Sequence, residues 1–159
     1  MKMIDYKRSK QKKLIMIGGI LLAAVAAILI GGDTPLNGIE FLFERPAIEQ
    51  AAGAYFRAEM EHNLPQVYAR LAPSSPYKRA HNYQQFLQDV ADSPVRIQTY
   101  RIVDIYRFRN NDNKAIYPAV EKLVQVEVDV DIYFQDTGGR NSYNYCFTFL
   151  REKGVWYKG

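Results

Sequence analysis

The chain is poor in the residues that build disulfide frameworks and metal centres. Of 159 residues, one is Cys and two are His. A single cysteine excludes an intrachain disulfide framework and a cysteine-based zinc cluster. Two histidines are too few for a histidine-rich metal site, and neither a metal nor a cofactor is expected. No glycine-rich loop of the phosphate-cradling kind occurs, and Gly138–Gly139 reads as a hairpin turn. Net positive charge is confined to one short stretch. Residues 1–13 hold Lys2, Lys7, Arg8, Lys10, Lys12 and Lys13 against a single acid, Asp5. The rest carries 15 basic and 16 acidic residues, although the whole chain is formally +4. The folded part therefore has no surplus of positive charge with which to hold a phosphate backbone, and nucleic acid is not an expected partner.

Beside that basic tail lies an uninterrupted apolar run, Leu14–Gly32, LIMIGGILLAAVAAILIGG. As a helix its 19 residues span roughly 28 Å, close to the hydrocarbon thickness of a bilayer. A helix satisfies its own backbone groups in lipid. Basic residues precede the run, while Asp33 and Glu40 follow it. The positive-inside rule then puts the N-terminus in the cytoplasm and the C-terminal part in the periplasm or extracellular space. A cleaved signal peptide normally has a shorter apolar core and a small-residue site behind it. Here Ala23–Ala27 is small, but Ile28–Ile30 continues the run, so an uncleaved single-pass anchor in the plasma (inner) membrane is expected. Gly19, Ala23, Ala27 and Gly31 recur every four residues and form a small-residue face for contact with another membrane helix. The basic tail suits anionic lipid at the cytoplasmic leaflet.

The remainder divides into a stalk at residues 33–45 and an α+β domain at residues 46–159. Pro46 suits the first turn of a helix, expected to run to about His62 with Ile48, Ala52, Tyr55, Phe56 and Met60 on one stripe. A short helix follows from about Pro65. Ser75–Pro76 opens a third, whose Ala80, Tyr83, Phe86, Leu87 and Val90 share a face. The period then changes to two. Strands are expected over Val95–Phe108, Glu121–Phe134, Ser142–Arg151 and Val155–Tyr157. In the second, Val124, Val126, Val128, Val130, Ile132 and Phe134 face one way, and Gln125, Glu127, Asp129 and Asp131 face water. The fold class is α+β: an N-terminal transmembrane helix, then helices on a curved, mainly antiparallel four-stranded sheet, leaving a cone open at one end.

Three segments carry a family resemblance: the helical AAGAYFRAEMEHNLPQVYARLAP, the strand LVQVEVDVDIYF, and the closing YNYCFTFLREKGVWYKG with its aromatic strand, Gly turn and Trp156. Over about residues 46–158 the chain resembles the nuclear transport factor 2-like superfamily, also called SnoaL-like or ketosteroid-isomerase-like, a cone-shaped α+β fold. Its members are enzymes, small-molecule binders or assembly modules. The order of anchor and exported domain resembles, more weakly, the inner-membrane scaffold subunit of type IV secretion systems. This chain is shorter, and no motif of that family maps onto it residue by residue.

Two carboxylates are candidates for chemistry. Glu59 lies by helical angle between Tyr55 and Phe56, inside the apolar stripe, where a semi-apolar cone would raise its pKa. The bland alternative is a solvated rim. Asp104 alternates with Tyr100, Ile102, Tyr106 and Phe108 and so is read as sharing their face. Paired with Tyr100 or Tyr106 it would resemble the isomerase arrangement of carboxylate base and phenol donor. Either face of that strand can be the core, and a bulge would exchange them. Cys146 reads as a small buried residue. Aromatic residues number 13% of the chain and concentrate at its end, which suits a pocket wall or an interface. The residues expected there are Tyr55, Tyr100, Tyr106, Tyr143, Tyr145, Trp156 and Tyr157. The expected function is a non-catalytic accessory or scaffold subunit whose exported domain docks on other membrane subunits or on itself. The alternative is an isomerase-like enzyme or small-molecule binder using Glu59 or Asp104 in the cone.

Overall fold

The computed structural model describes residues 35–159, with side chains from residue 38 onward. The apolar run Leu14–Gly32 and its Gly19, Ala23, Ala27 and Gly31 face lie outside the described residues. Among the described residues, no helix is long and apolar enough to cross a membrane. The chain divides into two compact units, residues 1–43 and residues 44–159. The second is the α+β domain.

Among the described residues, four helices precede four strands: α1 (Pro35–Met60), α2 (Leu64–Ala69), α3 (Pro76–Ala80), α4 (Tyr83–Ala91), β1 (Val95–Asn110), β2 (Val120–Phe134), β3 (Arg140–Glu152) and β4 (Val155–Lys158). The strands form one antiparallel sheet in the order β1-β2-β3-β4. This is the expected α+β class. Gly138 and Gly154, both at positive φ, sit in the two tight connections, where a side chain would be strained.

α1 starts at Pro35, not at Pro46, so residues 35–45, read as a stalk, are helical. Pro46 stands inside the helix, where it lacks the N–H that would bond the Leu42 carbonyl one turn back. The expected third helix is two. His81 is extended, and Asn82 restarts the helix by accepting from the Gln85 N–H at 3.0 Å while its own N–H donates to Gln85 Oε1 at 2.8 Å.

From Glu44 onward, α1 lies across one face of the sheet. Its Ile48, Ala52 and Phe56, four residues apart, are fully buried. The Phe56 ring packs 5.4 Å from Tyr100 on β1 and 5.0 Å from Phe147 on β3. Beneath it, Val124, Val126, Val128 and Val130 are buried, and Gln125, Glu127 and Asp129 face outward as expected. Met60, assigned to the stripe, is exposed instead. A second cluster joins α1 to the short helices through Ala58, Val67 and Phe86. A third lies against the C-terminal hairpin, where Ala72, Val120 and Leu150 are buried. The turn after α2 is tied to β4 by Ala72 N–H on the Lys158 carbonyl (2.7 Å) and Lys158 N–H on the Arg70 carbonyl (2.9 Å).

Candidate functional site

On the sheet face under α1, burial is complete along the middle of β2 but falls off along β3. Phe149, Phe147, Tyr145 and Tyr143 stand at alternate positions of β3, opposite Val124, Val126, Val128 and Val130. Period two therefore puts all four aromatic rings on the α1 face. Phe149 is fully buried and Phe147 half-buried against Phe56. Tyr145 and Tyr143 are 44% and 37% exposed, although the valines opposite them are buried. The two rings stack on one another at 5.6 Å and 22°, and Tyr145 meets Phe147 edge-on at 6.0 Å. The ladder thus runs from core to solvent along one strand.

Glu59 lies near the end of α1. It is half-buried and accepts the Tyr55 hydroxyl at 2.6 Å. Burial first, and then the Glu59 charge and this bond, push the Tyr55 hydroxyl well above its ordinary range. Lys158 is part of the same neighbourhood. Burial holds its ammonium below the usual lysine range, partly offset by the Glu59 charge. Glu59, His62 and Arg96 line an open recess of about 260 Å³ with Val90, Val95 and Ile97. A carboxylate there can accept a proton or hold a donor on a ligand. The Arg96 guanidinium is engaged by the Ser93 and Val95 carbonyls at 3.1 and 2.8 Å.

Asp104 is elsewhere. β1 slips register against β2 three times, between Ile97 and Thr99, Ile102 and Asp104, and Tyr106 and Arg109. Each extra residue exchanges the two faces of the strand beyond it. The slip at Val103 leaves Ile102 and Ile105 opposite Val128 and Val126, and turns Asp104 outward opposite Glu127. Asp104 is exposed, and its carboxylate accepts the neighbouring Ile105 N–H at 2.7 Å. Tyr100 remains on the inner face, with its hydroxyl on the Gly53 carbonyl at 3.1 Å. The isomerase-like pair of Asp104 with Tyr100 is therefore not assembled, a correction to the strict alternation read from the sequence.

Tyr106 shares the outer face. Its hydroxyl donates to Cys146 Sγ at 3.1 Å, which raises its pKa above the ordinary value, and the thiol donates to Gln125 Oε1 at 2.5 Å. Cys146 is exposed rather than buried, because it alternates with the inward aromatics. Trp156 and Tyr157 are structural. The Trp156 indole N–H donates to Glu44 Oε2 at 2.9 Å, and Arg151 meets Glu44 Oε1 at 3.0 Å, which clamps β4 and β3 to α1. Tyr157 packs on the Ala72 cluster, and Tyr55 on the helical one. Of the seven aromatic candidates, only Tyr143 and Tyr145 present a large part of their side chains to solvent on the face that α1 shares.

The outer face also carries a polar ladder. Asp131 accepts from Thr99 and Ser142 hydroxyls, both at 2.5 Å, and Asp129 accepts from Arg101 and from the Asn144 amide at 2.8 Å. The acids are legible in the sequence as an outward row in β2. Their partners depend on β1 and β3 register, which the sequence does not display.

No family model matches the chain, and no curated protein matches it. Solved structures do. A ketosteroid isomerase-like protein from Erwinia carotovora atroseptica superposes with a TM-score of 0.49 at 21% identity, covering 72% of this chain and 90% of that one. A protein of unknown function with a cystatin-like fold from Nostoc punctiforme gives 0.46 at 12% identity, covering 73% and 86%. An NTF2-like protein of unknown function from Prochlorococcus gives 0.46 at 10% identity, covering 72% and 86%. None of these three is described as a secretion subunit, and they transfer no residue role to this chain.

Proposed function

We propose that this chain is a membrane-anchored accessory subunit whose α+β domain docks neighbouring membrane proteins on the periplasmic or extracellular side. The observation that carries the reading is the exposed Tyr143–Tyr145 stack on β3, beside buried valines of β2 on the same sheet face. Aromatic rings left in water on a face built for burial are the usual anchors of protein interfaces. The anchor at residues 14–32 supplies location and a small-residue face for a second contact, and the basic tail meets anionic lipid. A photo-crosslinking residue at Tyr145 of the full chain, expressed at its native level, tests this. A discrete adduct with another membrane protein, lost when Tyr143 and Phe147 are also replaced by Ser, is expected. The absence of any adduct with another membrane protein, with lipid or copies of this chain as the sole products, would overturn docking on other subunits.

A second reading rests on Glu59, which lines the recess with His62 and Arg96. It makes the domain a binder of small molecules bearing a hydrogen-bond donor, or an isomerase-like enzyme with Glu59 as base; Asp104, on the outer face, is not part of it. A thermal-shift screen of the wild type against Glu59→Gln separates the readings. Ligands that raise the melting temperature only when Glu59 is present favour the pocket.

A further inference from the structure

The two edges of the sheet are built in opposite ways. The β1 edge carries three register slips and the charged side chains of Arg96, Arg101, Asp104, Arg107 and Arg109. Bulges and charges are the devices by which sheet edges avoid pairing with other chains. β3 has no slip along its open stretch, and no charge between Arg140 and Arg151. β4 covers only Phe149–Glu152, and the Thr148 carbonyl takes the Gly159 N–H at 2.9 Å. Before that point, residues 141–147 read NSYNYCF, without a charge, a proline or a slip against β2. Among the described residues, no strand pairs with them on that side.

We propose that β3 pairs edge to edge with β3 of a second copy of this chain, antiparallel, with Asn144 opposite Asn144 across a two-fold axis. This inference is independent of docking on other subunits. Antiparallel strands direct alternate residues to one edge. Since Thr148 bonds toward the open side, Ser142, Asn144 and Cys146 direct their N–H and C=O groups there too. With Asn144 on the axis, Ser142 of each copy faces Cys146 of the other, and these pairs exchange about six backbone hydrogen bonds. The same register sets Tyr143 beside Tyr145 of the second copy as the closer, non-hydrogen-bonded pair, where aromatic rings interact best. The exposed stack then continues as four tyrosines across the junction. Charge does not oppose self-pairing: residues 141–147 carry none, and Arg140 of each copy falls beyond the paired stretch, since Gly159 already holds the Thr148 position, so no like charges meet. The arrangement is isologous and closes as a dimer.

Directly opposed residues of such a pair lie about 5.5 Å apart at Cα, within disulfide range. The test is Asn144→Cys in a Cys146→Ser background, made in the full chain in detergent and mildly oxidised. A reductant-sensitive dimer is expected as the main product. The wild type should stay unlinked, because its Cys146 residues would sit roughly 14 Å apart along the strands. Asp104→Cys, exposed on the opposite edge in the same background, should also stay unlinked. A monomeric Asn144→Cys protein overturns the proposal, whether the edge is empty or holds a strand of another protein. So does equal linking of the Asp104→Cys control, which would mark random collision. Disulfide linkage of the wild type overturns the register.

Discussion

Asp129 and Asp131 show how much of this sheet's surface chemistry is cross-strand. Each sits on β2 between a donor on β3 and a donor on β1, an arrangement that the pairing of Asp129 with Arg101 and Asn144, and of Asp131 with Thr99 and Ser142, makes automatic. Both carboxyls are held below the usual carboxylate range. The Asn144 amide and then Arg101 lower Asp129, and the Ser142 and then Thr99 hydroxyls lower Asp131. A carboxylate whose folded pKa is depressed stabilises the fold above its unfolded pKa and ceases to as pH falls through the folded value. The loss is therefore expected to start at about pH 5 and to deepen below about pH 4, where unfolded aspartates are mostly protonated. Asp129→Asn with Asp131→Asn should lower the melting temperature at neutral pH and flatten its fall on acidification. Parallel acid limbs in thermal denaturation of the two proteins would contradict the assignment. Tyr55 and Glu59 differ in kind: their bond is local, i to i+4 on α1, and the spacing alone makes it legible in the sequence.

Element by element, legibility depends on whether a regular period is interrupted. β2 alternates without a break from Leu123 to Phe134, so its buried valines and outward acids follow from the sequence alone. β1 has the same composition of β-branched and aromatic residues, yet its three slips leave no mark in residue type. Strict alternation accordingly puts Asp104 and Tyr106 on the wrong face. Arg107, at φ 53° within the third slip, is an ordinary residue in a backbone region that favours glycine, and nothing in the sequence announces it. At the helices, Pro46 reads as a start because it suits a first turn, whereas the chain carries it in mid-helix. The break at Asn82 is hidden because Ala80 and Tyr83 keep helical spacing across it. That break makes a prediction. Asn82 and Gln85 close a reciprocal cap that starts α4 and so positions the buried Phe86. Asn82→Ala should cost about 1 kcal/mol in urea denaturation, and Asn82→Asp should restore most of it. An unchanged urea midpoint for the alanine variant would show that Phe86 packing alone fixes the helix.

For the whole molecule, the proposed anchor at residues 14–32 predicts on which side of a membrane the α+β domain folds. The asymmetry lies in the first 40 residues: five Lys and Arg at positions 7–13 before the apolar run, and Asp33 and Glu40 after it. Positive flanks resist transfer across the membrane, so the run should insert with the tail inside. The protein carries its own reporter. Cys146 is the single cysteine, it is exposed, and its side chain stands on the outer sheet face rather than under α1. A membrane-impermeant maleimide added to intact cells, or to spheroplasts where an outer membrane bars entry, should therefore modify the full chain at Cys146. Cys146→Ser should abolish the signal. Replacing Lys7, Arg8, Lys10, Lys12 and Lys13 with Gln removes the flank difference, and should divert part of the population to the opposite orientation, where labelling appears only after lysis. Wild-type labelling that also required lysis would put the domain in the cytoplasm. The Tyr143–Tyr145 surface would then have to meet partners there.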